Sequence, residues 1–183
     1  GSSGYGALRV RCSDDVVVNS RIFNDPGDEP AATQGQFFAG VPAELAIGVG
    51  EATDVLGVNQ DSDGAFRYNF GFVETTGQPA TITATLTDGD GAVLGSGSFT
   101  VRGREARQLN IADLGAGGQP TGNGRVHVEV TSGAGKVIVF GSGIANTSQD
   151  PSTFEMTMVQ AGGTGGDGDI TAVHAGPGRP SKT

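Results

Sequence analysis

Hydrophobic and polar positions alternate along most of this chain with a period of two, the spacing of a strand with one buried face. In "FRYNFGFVE" (66–74), Phe66, Tyr68, Phe70 and Phe72 fall on one face, and Arg67, Asn69 and Gly71 on the other. This stretch predicts the principal core strand, with an aromatic stripe. "ATITATLTD" (80–88) sets Ile82, Ala84 and Leu86 against a row of threonines. "DGDG" (88–91) then signals a hairpin, and "AVLGSGSFTV" (92–101) returns. "LAIGVGEATDVLGV" (45–58) reads as two short strands around Gly50-Glu51, and "REARQLNIADL" (104–114) as a strand with a short helical turn. "TFEMTMV" (153–159) is a last strand. No stretch of useful length has a 3.6-residue period, so the pattern predicts an all-β fold: an antiparallel β-sandwich of seven to nine strands, Ig-like or jelly-roll-like.

Two stretches share one pattern. "GALRVRCSDDVVVNSRIFND" (6–25) parallels "GRVHVEVTSGAGKVIVFGSGIANTSQD" (124–150). Leu8, Val10 and Cys12 match Val126, Val128 and Val130; Val16, Val17 and Val18 match Val137, Ile138 and Val139; Ser20–Asn24 matches Ser142–Asn146. A smaller echo relates "GVGEATDVL" (48–56) to "VRGREARQL" (101–109), each read as strand, Gly-Glu turn, strand. Residues 1–25 therefore read as the closing hairpin of a preceding module, residues 26–159 as the sandwich, and residues 160–183 as a Gly-rich tail with one short strand from Ile170 to Val173. A lone hairpin is marginal in water and needs a partner. It either folds back on its own chain or adds strands to the sheet edge of a neighbour. The second route is head-to-tail and leads to filaments. The assembly candidates are Leu8, Val10, Cys12, Val16, Val17, Val18, Arg21, Ile22, Ile170 and Val173.

Composition narrows the function. Of 183 residues, 33 are glycine, many of them between short apolar runs where turns need positive φ. The net charge of −9 repels phosphate backbones, which argues against nucleic-acid binding. No apolar run is long enough to span a membrane as a helix. The chain opens without an initiator Met or a signal peptide, as expected of a mature or excised fragment. The single cysteine, Cys12, excludes an internal disulfide and reads as a small apolar residue on a strand face.

Catalytic chemistry is not assembled in the pattern. His127 alternates with valines beside Arg125 and Glu129, a solvated position, and His174 lies in the tail. Glu51, Glu74 and Glu105 read as solvated strand ends, so the chain is expected not to be an enzyme. No cofactor is expected. "NQDSDG" (59–64) opens like a calcium loop, but its twelfth position is Phe70, so only a looser site at Asn59, Asp61 and Asp63, or at Asp88 and Asp90, is a candidate. Phe37 and Phe38 lie in the loop "GQFFAG" (35–40), one expected to plug the sandwich end and the other to face out. With Arg67 and Asn69 they are the candidate contacts for a ligand such as a surface glycan.

"SDDVVVNSRIFND", "GQFFAGVP", "FRYNFGFVETTG" and "NGRVHVEVTSGAGKVIVFGSGIANTSQDPSTFEM" resemble poorly characterised bacterial secreted or cell-surface β-sandwich modules, broadly Ig-like, that recur in tandem. The tail "GDITAV" is similar to a segment of phage tail fibres and trimeric bacterial surface proteins. The resemblance implies export to the bacterial cell surface and a structural, adhesive or phage-fibre role, and it implies no catalytic residues. The expectation from the sequence is a non-enzymatic extracellular assembly module, a homo-oligomer or filament joined by strand addition, with a glycan-binding adhesin module as the alternative.

Overall fold

The computed structural model describes residues 6–24, 27–29, 33–115 and 120–157. The fold is an antiparallel β-sandwich of two four-stranded sheets, with a separate two-stranded hairpin. The hairpin is β1 (Asn19–Phe23) and β2 (Gly35–Ala39). The sandwich strands are β3 (Ala52–Gln60), β4 (Phe66–Glu74), β5 (Ala80–Thr87), β6 (Val93–Val101), β7 (Ala106–Asn110), β8 (Thr121–Gly133), β9 (Val137–Ala145) and β10 (Asp150–Glu155). The first sheet has the order β3-β8-β5-β6 and the second β10-β9-β4-β7. Two short 3-10 turns, Ala43–Leu45 and Ile111–Leu114, complete the described elements.

The core forms where the alternation places it. Tyr68, Phe70 and Phe72 of β4 are fully buried and face Ile82, Ala84 and Leu86 of β5 and Val126, Val128 and Val130 of β8. Each buried Phe or Leu contributes about 1.5–3 kcal/mol. Phe66, at the head of the stripe, is exposed. Tyr68 can be buried because its hydroxyl donates to Leu56 O at 2.8 Å. Asn110 caps the second 3-10 turn: its side chain accepts from Ala112 N while Asp113 accepts from Asn110 N. That turn inserts Ile111 and Leu114 between the sheets.

The parallel between residues 6–24 and 124–146 takes a different form from a pair of hairpins. β8 lies in the first sheet and β9 in the second, so 124–146 is an arch that crosses the core. The link is held at both sheets: Ala134 N and Gly135 N donate to Pro79 O, and Lys136 O accepts from Thr75 N. The earlier copy differs again. Residues 6–18 form no strand, and β1 begins only at Asn19. The hairpin expected within 8–18 is replaced by one between β1 and β2, with Ser20 opposite Phe38.

The smaller echo holds in the turn alone: of the two strands expected in 45–58 only β3 forms, and Ile47 makes a single bridge to Val137. In both turns a glutamate binds the backbone N–H three residues before it: Glu51 Oε2 accepts from Gly48 N at 2.6 Å, and Glu105 Oε2 from Arg102 N at 2.7 Å. The third residue has positive φ in each, Gly50 at 80° and Arg104 at 62°.

Candidate functional site

The hairpin β1–β2 lies across the outer face of the β10–β9 half of the second sheet. Gln36 Nε2 donates to Ser142 Oγ at 2.8 Å, and Thr153 Oγ1 donates to Phe37 O at 2.5 Å. The Phe38 ring meets Phe140 edge-on at 6.0 Å, and Ser142 and Ile144 are buried although they point away from the sandwich core. Phe37 and Phe38 are thus strand residues, not loop residues. Alternation splits them, Phe38 against the sheet and Phe37 outward.

The outward face of the hairpin exposes two aromatic rings. Phe23 and Phe37 are exposed, and the Arg21 guanidinium stacks over Phe23 at 5.4 Å. Ahead of it, residues 6–17 make no backbone–backbone hydrogen bond among the described residues. The segment is tethered by Arg9, whose Nη1 donates to Thr75 O at 3.2 Å, and ends where Val18 O accepts from Gly40 N. Leu8 is 91% exposed, Val10 57%, Val16 54% and Val17 90%; Cys12 is exposed and Ile22 largely so. Val126, Val128, Val130 and Val137, the matches of Leu8, Val10, Cys12 and Val16, are all 0% exposed. Of the eleven exposed large hydrophobic residues described, seven lie between Leu8 and Phe37. That concentration marks the N-terminal face as the candidate site. Phe23 was missed by the sequence reading, although it continues the alternation of Arg21. Ile170 and Val173 lie outside the described residues.

The other candidates are spread elsewhere. Arg67 donates to the side chains of Asn146 and Gln149. Asn69 Oδ1 accepts from Asn110 Nδ2 at 2.9 Å. In the shallow depression lined by Asn69, Gln108, Leu109 and Asn110, the two asparagine side chains are thus already bonded to each other. His127 Nδ1 sits 2.9 Å from Asp54 Oδ1 across the β3–β8 ladder, so its strand neighbour supplies its partner.

The carboxylates at turns are occupied by backbone donors. Asp88 Oδ1 accepts from Asp90 N and Ala92 N, and Asp63 Oδ1 from Ala65 N. Arg125 lines the same depression as Asp88 and Asp90, so a fixed positive charge lies in the neighbourhood of the two acids. Among the described residues no group of three or more His, Cys, Asp or Glu could hold a metal ion. Millimolar calcium is therefore expected to leave the melting temperature within about 1 °C of its value in chelator, since a bound ion would raise it by mass action. A rise of several degrees in a thermal scan would show a calcium site.

Two glutamates depart from their expected solvated positions. Glu105 is half-buried; burial pushes its carboxyl up, but the Arg102 N–H and the Arg107 guanidinium overcome this and hold it below the usual range. Glu74 is buried and joins three turns. It accepts from Thr76 and Gly77 in its own turn, from Arg104 N at 2.8 Å, and from Lys136 N at 3.3 Å. Its signal in the sequence was the run "ETTG" (74–77), which places a hydroxyl and a glycine N–H two and three residues after the acid.

No known protein family and no curated protein matches the sequence. Among solved structures the chain is similar to the crystal structure of Thermotoga maritima 1070, with a TM-score of 0.48 and 11% identity, over 62% of this chain and 97% of that one. It is also similar to an arabinose-bound α-L-arabinofuranosidase, with a TM-score of 0.24 and 16% identity over 78% of this chain, which spans 22% of that enzyme's length.

Proposed function

We infer that the chain is a non-enzymatic structural module of an extracellular bacterial surface, and that it assembles with further copies through its N-terminal segment. One observation carries this reading. Residues that match the buried valines of β8 and β9 are themselves exposed in residues 8–17, on a stretch of backbone with no ladder. Apolar alternation without a partner strand is the form of a segment that completes its hydrogen bonds on another sheet. The absence of an enzyme role is supported by how the polar groups are used. His127 is held by Asp54, and Glu74 is saturated with turn donors, so neither is presented to a substrate.

Gel filtration with light scattering tests the reading. The full chain is expected to show a mass that rises with concentration above that of one chain. Removing residues 1–17 should return it to a single chain while moving the melting temperature by only about 1–2 °C, because the removed stretch makes few contacts. A full-length mass that equals one chain at all concentrations would overturn the proposal.

A further inference from the structure

We propose that Gly6–Cys12 of one copy pairs with the free edge of β6 in a second copy, extending the first sheet by one strand. This rests on the assembly reading above and names its acceptor.

The acceptor follows from what covers each sheet edge. β3 is closed by the chain that leaves β10: Thr157 N donates to Asp54 O at 2.8 Å, Thr53 Oγ1 donates to Thr157 O at 2.7 Å, and Val55 bridges Met156. β10 is six residues and contains Pro151 between two acids, Asp150 and Glu155, residues that keep an edge from pairing. β7 is five residues long and runs into a capped 3-10 turn. β6 is different. It is nine residues, Val93–Val101, and among the described residues its one ladder partner is β5. Thr100 O accepts from Arg107, but among the described residues no second strand lies alongside. Its sequence "VLGSGSFTV" contains no charged residue and no proline, the usual devices that keep an edge from pairing.

The donor fits that edge. Seven residues at about 3.3 Å each reach roughly 23 Å, most of the length of β6. Alternation would continue the inner face of Gly97 and Phe99 with Leu8, Val10 and Cys12. Arg9 and Arg11 would lie on the solvent face with Ser96, Ser98 and Thr100. Charge favours a second copy as the partner. The segment holds two arginines and no acid, whereas the chain as a whole carries −9, so copies that repel overall attract at this segment. In its own chain the segment is tethered by Arg9 to Thr75, in the turn after β4, and not to β6.

Single-cysteine variants test the pairing. One partner carries Cys12→Ser with Arg11→Cys; the other carries Cys12→Ser with Ser96→Cys, Ser98→Cys or Thr100→Cys. All these introduced positions are exposed, so the fold is kept. On mixing and mild oxidation, a mixed disulfide is expected with at least one β6 position, at a yield about tenfold above that of a Thr147→Cys control. Cross-linking to Thr147→Cys as efficient as to β6 overturns the proposal. So does a lack of β6 cross-links in chains that still show a mass above one chain; that result leaves the assembly reading standing. A mass of one chain throughout, with no cross-link, overturns both.

Discussion

Replacing Glu74 with glutamine is expected to lower the unfolding free energy at pH 7 by about 3 kcal/mol. The carboxylate is buried at the end of the sandwich, where the turn after β4, the turn between β6 and β7 and the arch between β8 and β9 meet. All the groups that face it are donors. Glutamine turns one oxygen into an NH2 group, which sets donor against donor and leaves buried N–H groups unpaired, at about 1–3 kcal/mol for each group lost. The same size emerges from its titration. Burial pushes the carboxyl up, but the Thr76 hydroxyl and the N–H groups of Arg104, Thr76 and Gly77 outweigh it and bring the pKa down from 4.5 to about 2. A drop of that size corresponds to about 3 kcal/mol. Because the folded value lies below the unfolded one, the unfolded chain binds the proton more readily. The contribution is complete above pH 4.5 and is lost as pH falls through about 2. Urea unfolding between pH 7 and pH 2 should show this decline in the native chain and little of it in Glu74→Gln. A pH response in the variant equal to that of the native chain would show that Glu74 is not its source.

The pattern of the chain told faces more reliably than partners. The β4 stripe and the β5 alternation specify which side chains are inside, and Tyr68, Phe70, Phe72, Ile82 and Leu86 are all buried. Alternation is local and contains no statement of which strand lies alongside. Hence β8 and β9, which read as one hairpin, belong to different sheets, and the link between them is bonded to Pro79 O through the N–H groups of Ala134 and Gly135. For the same reason residues 8–12 alternate as well as any strand and yet form none, since a ladder needs an edge as well as a face. Glu74 escaped for a different cause. An acid at a strand end is normally solvated, and only the convergence of two distant turns, at Arg104 and Lys136, makes it buried and paired. The apolar alternation of residues 8–12 was legible; its exposure was not, because the pattern of a core strand does not reveal whether the core is present.

Substituting Gly141 with alanine is expected to destabilise the fold by about 3 kcal/mol, at the upper end for added volume in a packed core. A Cβ at this β9 position would lie 2.1 Å from Tyr68 Oη and 2.7 Å from Val55 Cγ1, both fully buried. Neither can withdraw freely. The Tyr68 hydroxyl is fixed on Leu56 O, and its ring packs against Phe154 with centroids 5.4 Å apart. Burial also pushes that hydroxyl's pKa up, so it stays a neutral donor and keeps the bond across the accessible pH range. The nearest clash is with the oxygen, which makes a second substitution informative. Tyr68→Phe alone loses the bond to Leu56 O and should cost about 1–2 kcal/mol. Combined with Gly141→Ala it removes the atom that the new methyl meets first. The double variant should therefore be more stable than the sum of the two losses, by about 1 kcal/mol or more, which exceeds the deviation expected of independent sites. Urea denaturation of the four proteins in the cycle measures this coupling. Strict additivity would mean that the strand, not the tyrosine, yields to the methyl group, and that the β4–β9 ladder is softer at Phe70–Gly141 than its packing implies.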